Sequence, residues 1–182
     1  MSHNKENLDT ATFAGGCFWC MEPPFDKLDG VVTTMPGYTG GHKENPTYQE
    51  VSAGTTGHTE ALQVTYDPLK VSYSQLLEVF WHNINPADPD GQFVDRGSQY
   101  RPAIFYHDEE QKQIAEESLN KLALSGRFQS PIETEIVPLE TFYQAEDYHQ
   151  DYYQKSPDRY KLYHYNSGRG QFLKKMWGDG EK

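Results

Sequence analysis

Cysteine is scarce in this 182-residue chain: there are two, Cys17 and Cys20, in the stretch A-G-G-C-F-W-C-M-E. Two are too few for the disulfide framework of a small secreted domain. At this spacing they read as reactive thiols in a reducing compartment, and a cytoplasmic protein is expected. Basic residues are also few, 16 Lys and Arg against 27 Asp and Glu, so the formal charge is 16 − 27 = −11, with no basic run. That balance argues against nucleic acid or an anionic membrane as a partner. No stretch approaches the ~20 apolar residues of a membrane span. Met1 to Asp9 is polar and lacks the apolar segment of a signal peptide. Repeats, low-complexity tracts and Pro/Ser-rich linkers are absent too, so the length is read as one domain.

Aromatic side chains are abundant at 14%, and they supply the bulk for a compact core although total hydrophobic content is only 36%. Thr10 to Ala14 alternates like a strand and runs into Gly15-Gly16. A helix is expected from about Phe18 to Asp29 with Gly30 as its C-cap, kinked or starting late because Pro23 and Pro24 fall inside it. Val31 to Tyr38 and Glu60 to Tyr66 read as strands, the second with Leu62, Val64 and Tyr66 on one face. Between them lies a Gly-, His- and Pro-rich loop, Thr39 to His58. Ser72 and Gln75 form a capping box that opens a helix with Leu76, Leu77, Phe80 and Trp81 as its apolar stripe. A second long loop, Asn83 to Gln99, is dense in Pro, Asp and Gly.

Tyr100 to Tyr106 reads as a strand. A helix then follows, capped by Asp108, with Ile114, Leu119 and Leu122 inward and Gly126 past its end. Glu133 to Leu139 reads as a strand and Thr141 to Tyr153 as a short helix; from Gln154 no periodicity is clear. This order implies an α+β two-layer sandwich, a ferredoxin-like mixed sheet with helices on it. The expected organisation is a polar tail over 1–9, a catalytic domain over 10–165 and a C-terminal tail over 166–182. Loops as long as the two named here are usually functional.

Three readings of the cysteine pair compete. A zinc clip needs four ligands, and there is no second C-x-x-C and no pair of histidines three to five apart, so no metal is expected. A redox pair fits the spacing, since residues one turn apart can meet the ~5.5 Å Cα separation of a disulfide. Behind a strand and a glycine pair, at a helix N-terminus, Cys17 would feel the dipole and free N–H groups that lower a thiol pKa. The plain alternative is that both are small core residues.

Beyond the cysteines, G-C-F-W-C-M-E is followed in order by G-Y-T-G-G from Gly37, P-T-Y-Q-E-V from Pro46, G-H-T-E-A from Gly57, D-R-G-S-Q-Y-R from Asp95 and A-E-D-Y-H-Q from Ala145. Together these six strings, over roughly residues 10 to 165, resemble the A class of peptide methionine sulfoxide reductases. The resemblance implies that Cys17 is the nucleophile, attacking a sulfoxide sulfur and taking its oxygen as a sulfenic acid. It implies that Glu60 is the acid that protonates the oxygen, which calls for burial and a raised pKa. Read alone, Glu60 would be a solvated carboxylate at a strand start.

Tyr48 and Tyr100 match the tyrosines that hydrogen-bond the sulfoxide oxygen, and Asp95 an aspartate supporting that polar cluster. Phe18 and Trp19 match the aromatic walls around the substrate's S-methyl group. Without the resemblance, the tyrosines and aromatics would be packing residues and Asp95 a turn former.

Many members of the family carry resolving cysteines near the C-terminus; this chain has no cysteine after Cys20. The G-C-F-W-C subgroup implies that Cys20 is the resolving thiol. The family's substrates, methionine S-sulfoxide free or in oxidised proteins, and its reductant, thioredoxin or a small dithiol, complete the expectation of a monomeric repair enzyme without a cofactor. Two other readings stay open at this point. A general thiol–disulfide oxidoreductase would not need Glu60. A non-catalytic protein-binding module would consume no sulfoxide.

Overall fold

A computed structural model describes residues 7–178. The outermost parts of the two expected tails, 1–6 and 179–182, lie outside the described residues. Strand β1 (Asp9–Ala14) buries its last four residues and sits at the middle of a six-stranded sheet. It pairs antiparallel with β3 (Thr59–Tyr66), Phe13 opposite Leu62, and with β6 (Ala103–Tyr106), Phe13 opposite Ile104. Strand β2 (Val31–Thr39) pairs antiparallel with the far side of β3. The central order β6-β1-β3-β2, with helix α1 (Phe18–Asp26) after β1 and a helix after β3, is the ferredoxin-like βαββαβ arrangement.

Pro23 and Pro24 do not delay α1, which starts at Phe18; it ends at Asp26, capped by Lys27, rather than reaching Asp29. Between β2 and β3 the Gly-rich loop folds a short helix, α2 (Tyr48–Ser52), opened by a capping box of Thr47 and Glu50. The expected Ser72/Gln75 box opens α3 (Tyr73–Trp81), whose Leu76, Leu77, Phe80 and Trp81 are all buried. The loop after α3 carries a minimal hairpin, β4 (Gly91–Gln92) with β5 (Asp95–Arg96), then a 3₁₀ turn at Ser98–Tyr100. Tyr100 therefore belongs to the loop, and β6 starts three residues later than the expected strand.

Asp108 accepts from the Gln111 N–H and caps α4 (Glu109–Leu124). This helix returns the chain to β7 (Glu135–Pro138), parallel to β6 and shorter than the strand expected over 133–139. One core, built on Phe13, Phe25, Leu62, Val64, Leu76, Phe80 and Ile104, lies between the sheet and its helices. Phe13 stacks on Phe25 at 5.4 Å and on Phe80 at 5.2 Å, the geometry aromatic pairs favour.

The C-terminal third departs from expectation. In place of a helix over 141–153 there is a strand, β8 (Tyr143–Gln144), paired with β2. It is followed by a 3₁₀ turn at Asp147–His149 and one turn of helix, α5 (Tyr152–Lys155). Gly37 lets β8 approach, because a Cβ there would sit 2.4 Å from the Tyr143 carbonyl oxygen. Two further helices, α6 (Pro157–Ser167) and α7 (Arg169–Trp177), occupy the aperiodic stretch. The stretch from 166 to Trp177 is thus mostly helical, and it holds Arg169, which is 2% exposed. Among the described residues no helix is long and apolar enough to cross a membrane.

Candidate active site

The turn from β1 into α1 brings the first cysteine to the end of the sheet. Gly16 makes that turn with φ +83°, a left-handed conformation that suits glycine. A Cβ at Gly16 would also lie 2.6 Å from the Gln92 side chain and 2.9 Å from the Arg169 guanidinium. Cys17 follows as the N-cap residue of α1, with Cys20 one turn on; the Cys20 N–H donates to the Cys17 carbonyl at 3.1 Å. Both thiols are free and buried.

A second element aims the acid. Glu60 sits opposite Tyr38 in the β2–β3 ladder, 3% exposed, and its carboxyl accepts the N–H of Phe18 at 3.1 Å. Burial raises its pKa well above the usual carboxylate range, and the nearby Asp95 and Cys20 add to this, against the opposing pull of the Phe18 N–H. A raised pKa is what a general acid at neutral pH requires.

The two long loops supply the rest, and they are tied to each other. Arg101 donates to the carbonyls of Gly57 and Ser98 at 3.1 and 2.8 Å, and Gln99 donates to Ser52 at 3.1 Å. These bonds hold Tyr48, from the first loop, near Asp95 and Tyr100, from the second. A cleft of about 110 Å³ results, lined by Cys17, Trp19, Tyr48, Glu60, Asp95, Tyr100 and Tyr163. Burial raises the pKa of both Tyr48 and Tyr100, with the Glu60 charge the next cause, so both hydroxyls stay protonated as donors.

Six of the eight residues singled out from the sequence line this cleft. Cys20 lies behind Cys17, within hydrogen-bonding reach of its thiol. Phe18 is not among the lining residues. It is 1% exposed and packs its ring between Trp19, Tyr38 and His149, because its N–H, not its side chain, faces Glu60.

The protonation of Cys17 differs from the dipole-based expectation. Burial pushes its pKa well up, and the hydrogen bond to Cys20 and the charges of Cys20, Glu60 and Asp95 act the same way. Two of the first-turn N–H groups that would favour a thiolate are engaged elsewhere, that of Phe18 by Glu60 and that of Cys20 by the Cys17 carbonyl. Cys20 shifts the opposite way. Accepting from the Cys17 S–H lowers its pKa, burial opposes this, and the Arg169 charge lowers it again.

Five neighbours carried no expectation from the sequence. Tyr163 lines the cleft and donates its hydroxyl hydrogen to Asp95. His149 accepts the Trp19 indole N–H on Nδ1 at 3.0 Å, and burial drops its pKa to about 4, so it is neutral at pH 7 with its proton on Nε2. Trp19 is also stacked on Tyr152 at 4.0 Å, which fixes one wall of the cleft. Glu146 accepts from the Tyr38 hydroxyl and the Tyr48 N–H. Glu146 and His149 lie within the A-E-D-Y-H-Q string, which was a usable signal; Tyr163 and Arg169 had none.

A profile of the peptide methionine sulfoxide reductase family matches residues 9–181. The chain is 58% identical over 173 residues to peptide methionine sulfoxide reductase MsrA of Listeria monocytogenes serotype 4a, covering 95% of this chain and 98% of that one. Methionine sulfoxide reductase A of Corynebacterium diphtheriae superposes with a TM-score of 0.75 at 36% identity, covering 85% of this chain and 77% of that one. Mxr1 of Saccharomyces cerevisiae in reduced form gives 0.79 at 30% identity, covering 86% and 90%. Mxr1 in complex with Trx2 shares the fold, with a TM-score of 0.58 at 21% identity, covering 84% and 89%. Sequence match over nearly the whole length and one cleft gathering the matched motifs lead to the same place: this chain belongs to the peptide methionine sulfoxide reductase family, A class.

Proposed function

We propose that this reductase acts on the S-epimer of methionine sulfoxide, free or in oxidised proteins, through a Cys17 sulfenic acid and a Cys17–Cys20 disulfide that thioredoxin or a small dithiol reopens. The observation that carries the reading is the placing of Cys17 in one small cleft with a buried acid, Glu60, and two tyrosine hydroxyls. A sulfoxide is neutral but strongly dipolar. A resting cleft that holds a neutral thiol and a neutral carboxyl accepts it without burying net charge.

The oxygen of the bound sulfoxide then takes hydrogen bonds from Tyr48, Tyr100 and Glu60, which makes the sulfur electrophilic. Attack by the Cys17 sulfur transfers the oxygen: Cys17–SH plus sulfoxide gives Cys17–SOH plus methionine. The substrate gains two electrons, Cys17 loses two, and the proton lent by Glu60 returns to it. Cys20 then displaces the hydroxyl of the sulfenic acid as water and closes the disulfide. Exchange with an external dithiol restores both thiols. The complex of Mxr1 with Trx2 favours a thioredoxin-type reductant, in a family relative.

Intact mass after sulfoxide treatment without reductant tests the sequence of events. Wild type is expected to lose two hydrogens and Cys20→Ser to gain one oxygen after releasing about one methionine per chain; Cys17→Ser releases none. Oxygen gain or disulfide-linked dimers in wild type would remove Cys20 from the resolving role.

A further inference from the structure

Arg169 is a buried cation without a visible anion. At 2% exposure its guanidinium donates to the carbonyls of Asn83 and Gly15 at 2.6 and 2.9 Å. It lies 3.7 Å from the Met21 sulfur and stacks over the Phe93 ring at 4.8 Å. Its Nε has no partner among the described residues, and among them no carboxylate lies within ion-pair distance. Leaving a charge this buried with neutral partners alone is costly, so a counter-charge is expected close by. The groups its field reaches include Cys20 and Asp95. Asp95 is engaged by the Tyr163 hydroxyl, whereas Cys20 is a buried free thiol in the same turn, between Gly15 and Met21, both of which the guanidinium touches.

We propose that Arg169 is the counter-ion of a Cys20 thiolate, a positioning residue that arms Cys20 to resolve the sulfenic acid and makes it the leaving group when the disulfide is reopened. The inference rests on the assignment of Cys20 as the resolving thiol. In the first step Cys20–S⁻ attacks the Cys17 sulfur, the S–O bond breaks, and hydroxide leaves as water with one proton from solvent. In the second, a reductant thiolate attacks the Cys17 sulfur, the S–S bond breaks, and its electron pair leaves on Cys20, again beside Arg169. The reductant's other thiol then attacks the reductant sulfur of the mixed disulfide; Cys17 leaves as a thiol with that group's proton, and the reductant, having given up two electrons, departs as its own disulfide. A lower thiol pKa speeds departure in that second step. Closing the disulfide removes the counter-charge and leaves Arg169 buried and unpaired, which favours the reduced enzyme.

The titratable groups facing Cys20 are Cys17, Glu60, Asp95, Tyr160, Tyr163 and Arg169. Only Arg169 among them is cationic. The test compares full-length wild type, Arg169→Met and Arg169→Lys in single turnover without reductant, reading methionine release and disulfide formation separately between pH 6 and 9. A Cys20 pKa that ends one unit above the pH leaves only about one thiol in ten as thiolate. In Arg169→Met the ratio of disulfide formation to methionine release should therefore fall about tenfold at pH 7 and recover towards pH 9, with Arg169→Lys restoring most of it. An unchanged ratio across that range overturns the proposal alone. A wild type that gains oxygen and forms no disulfide overturns the Cys20 assignment and the proposal with it. Should Arg169→Met not fold, alkylation of Cys20 in Cys17→Ser decides: a midpoint below the ~8.5 of a free cysteine supports the pairing, and one at or above it refutes it.

Discussion

Replacing Glu60 by Gln separates the shape of the acid from its proton. Glutamine has nearly the same volume, and its amide oxygen can still accept the Phe18 N–H now taken at 3.1 Å, so the turn into α1 should stay in place. Only the transferable proton is lost. General-acid loss typically costs ~10²–10⁴ in rate, or about 3–5 kcal/mol of transition-state stabilisation at 1.36 kcal/mol per tenfold. The assay is methionine release in single turnover, which isolates the sulfoxide step from disulfide recycling. The wild-type rate should fall as pH rises through the raised Glu60 pKa, and the variant should lack that limb.

Stability supplies an independent readout of the same proton. Burial raises the folded pKa of Glu60 above its unfolded value of ~4.3, so its contribution is full below that value and is lost as pH rises through the folded pKa. Glu60→Gln should melt no lower than wild type, and its advantage should grow with pH. A single-turnover rate within threefold of wild type at pH 7, in a folded variant, would refute the general-acid role.

Three other outcomes follow from the cleft and its surroundings. Separated epimers should react unequally, the S-epimer turning over and the R-epimer not, because methyl, oxygen and attacked face must meet Trp19, the Tyr48/Tyr100/Glu60 group and Cys17 at once; equal rates would exclude this binding mode. His149→Ala removes the acceptor of the Trp19 indole N–H and should raise KM about fivefold, the equivalent of ~1 kcal/mol for one hydrogen bond, with kcat little changed; an unaltered KM would show that Trp19 is held by Tyr152 alone. Glu22, buried and beside Asp26 and Asp151, has its pKa pushed up to about 8. Its stabilising share is present below pH ~4.3 and is lost towards pH 8. The Tm of Glu22→Gln minus that of wild type should therefore rise between pH 5 and pH 9, and a constant difference would count against the buried neutral carboxyl.

Features set by local pattern were legible before the structure. Alternation in β3 put Leu62, Val64 and Tyr66 inward, and the Ser72/Gln75 box and the Asp108 cap opened α3 and α4 at the stated residues. The Thr47/Glu50 box that opens α2 carries the same T-x-x-E signature. Its surroundings, rich in Gly, His and Pro, nevertheless read as loop throughout. Legibility fails where long-range contacts decide. Helix α6 has no apolar stripe: Leu162 and Tyr165 are exposed, and Tyr163 turns to Asp95 across 68 residues of sequence. One tyrosine among 13 cannot announce such a partner.

Arg169 is the extreme case, since arginine is almost never fully buried unless paired, and nothing near it in sequence suggests otherwise. Its partners are the Gly15 and Asn83 carbonyls, 154 and 86 residues away. The segment around Gly15 and the segment around Arg169 therefore meet at the cysteine turn. Gly16, which makes the turn into Cys17, is also what makes room for the guanidinium beside it. On this geometry the stretch from 166 to Trp177 is part of the reacting centre's support: removing it would uncover the underside of the G-G-C-F-W-C turn.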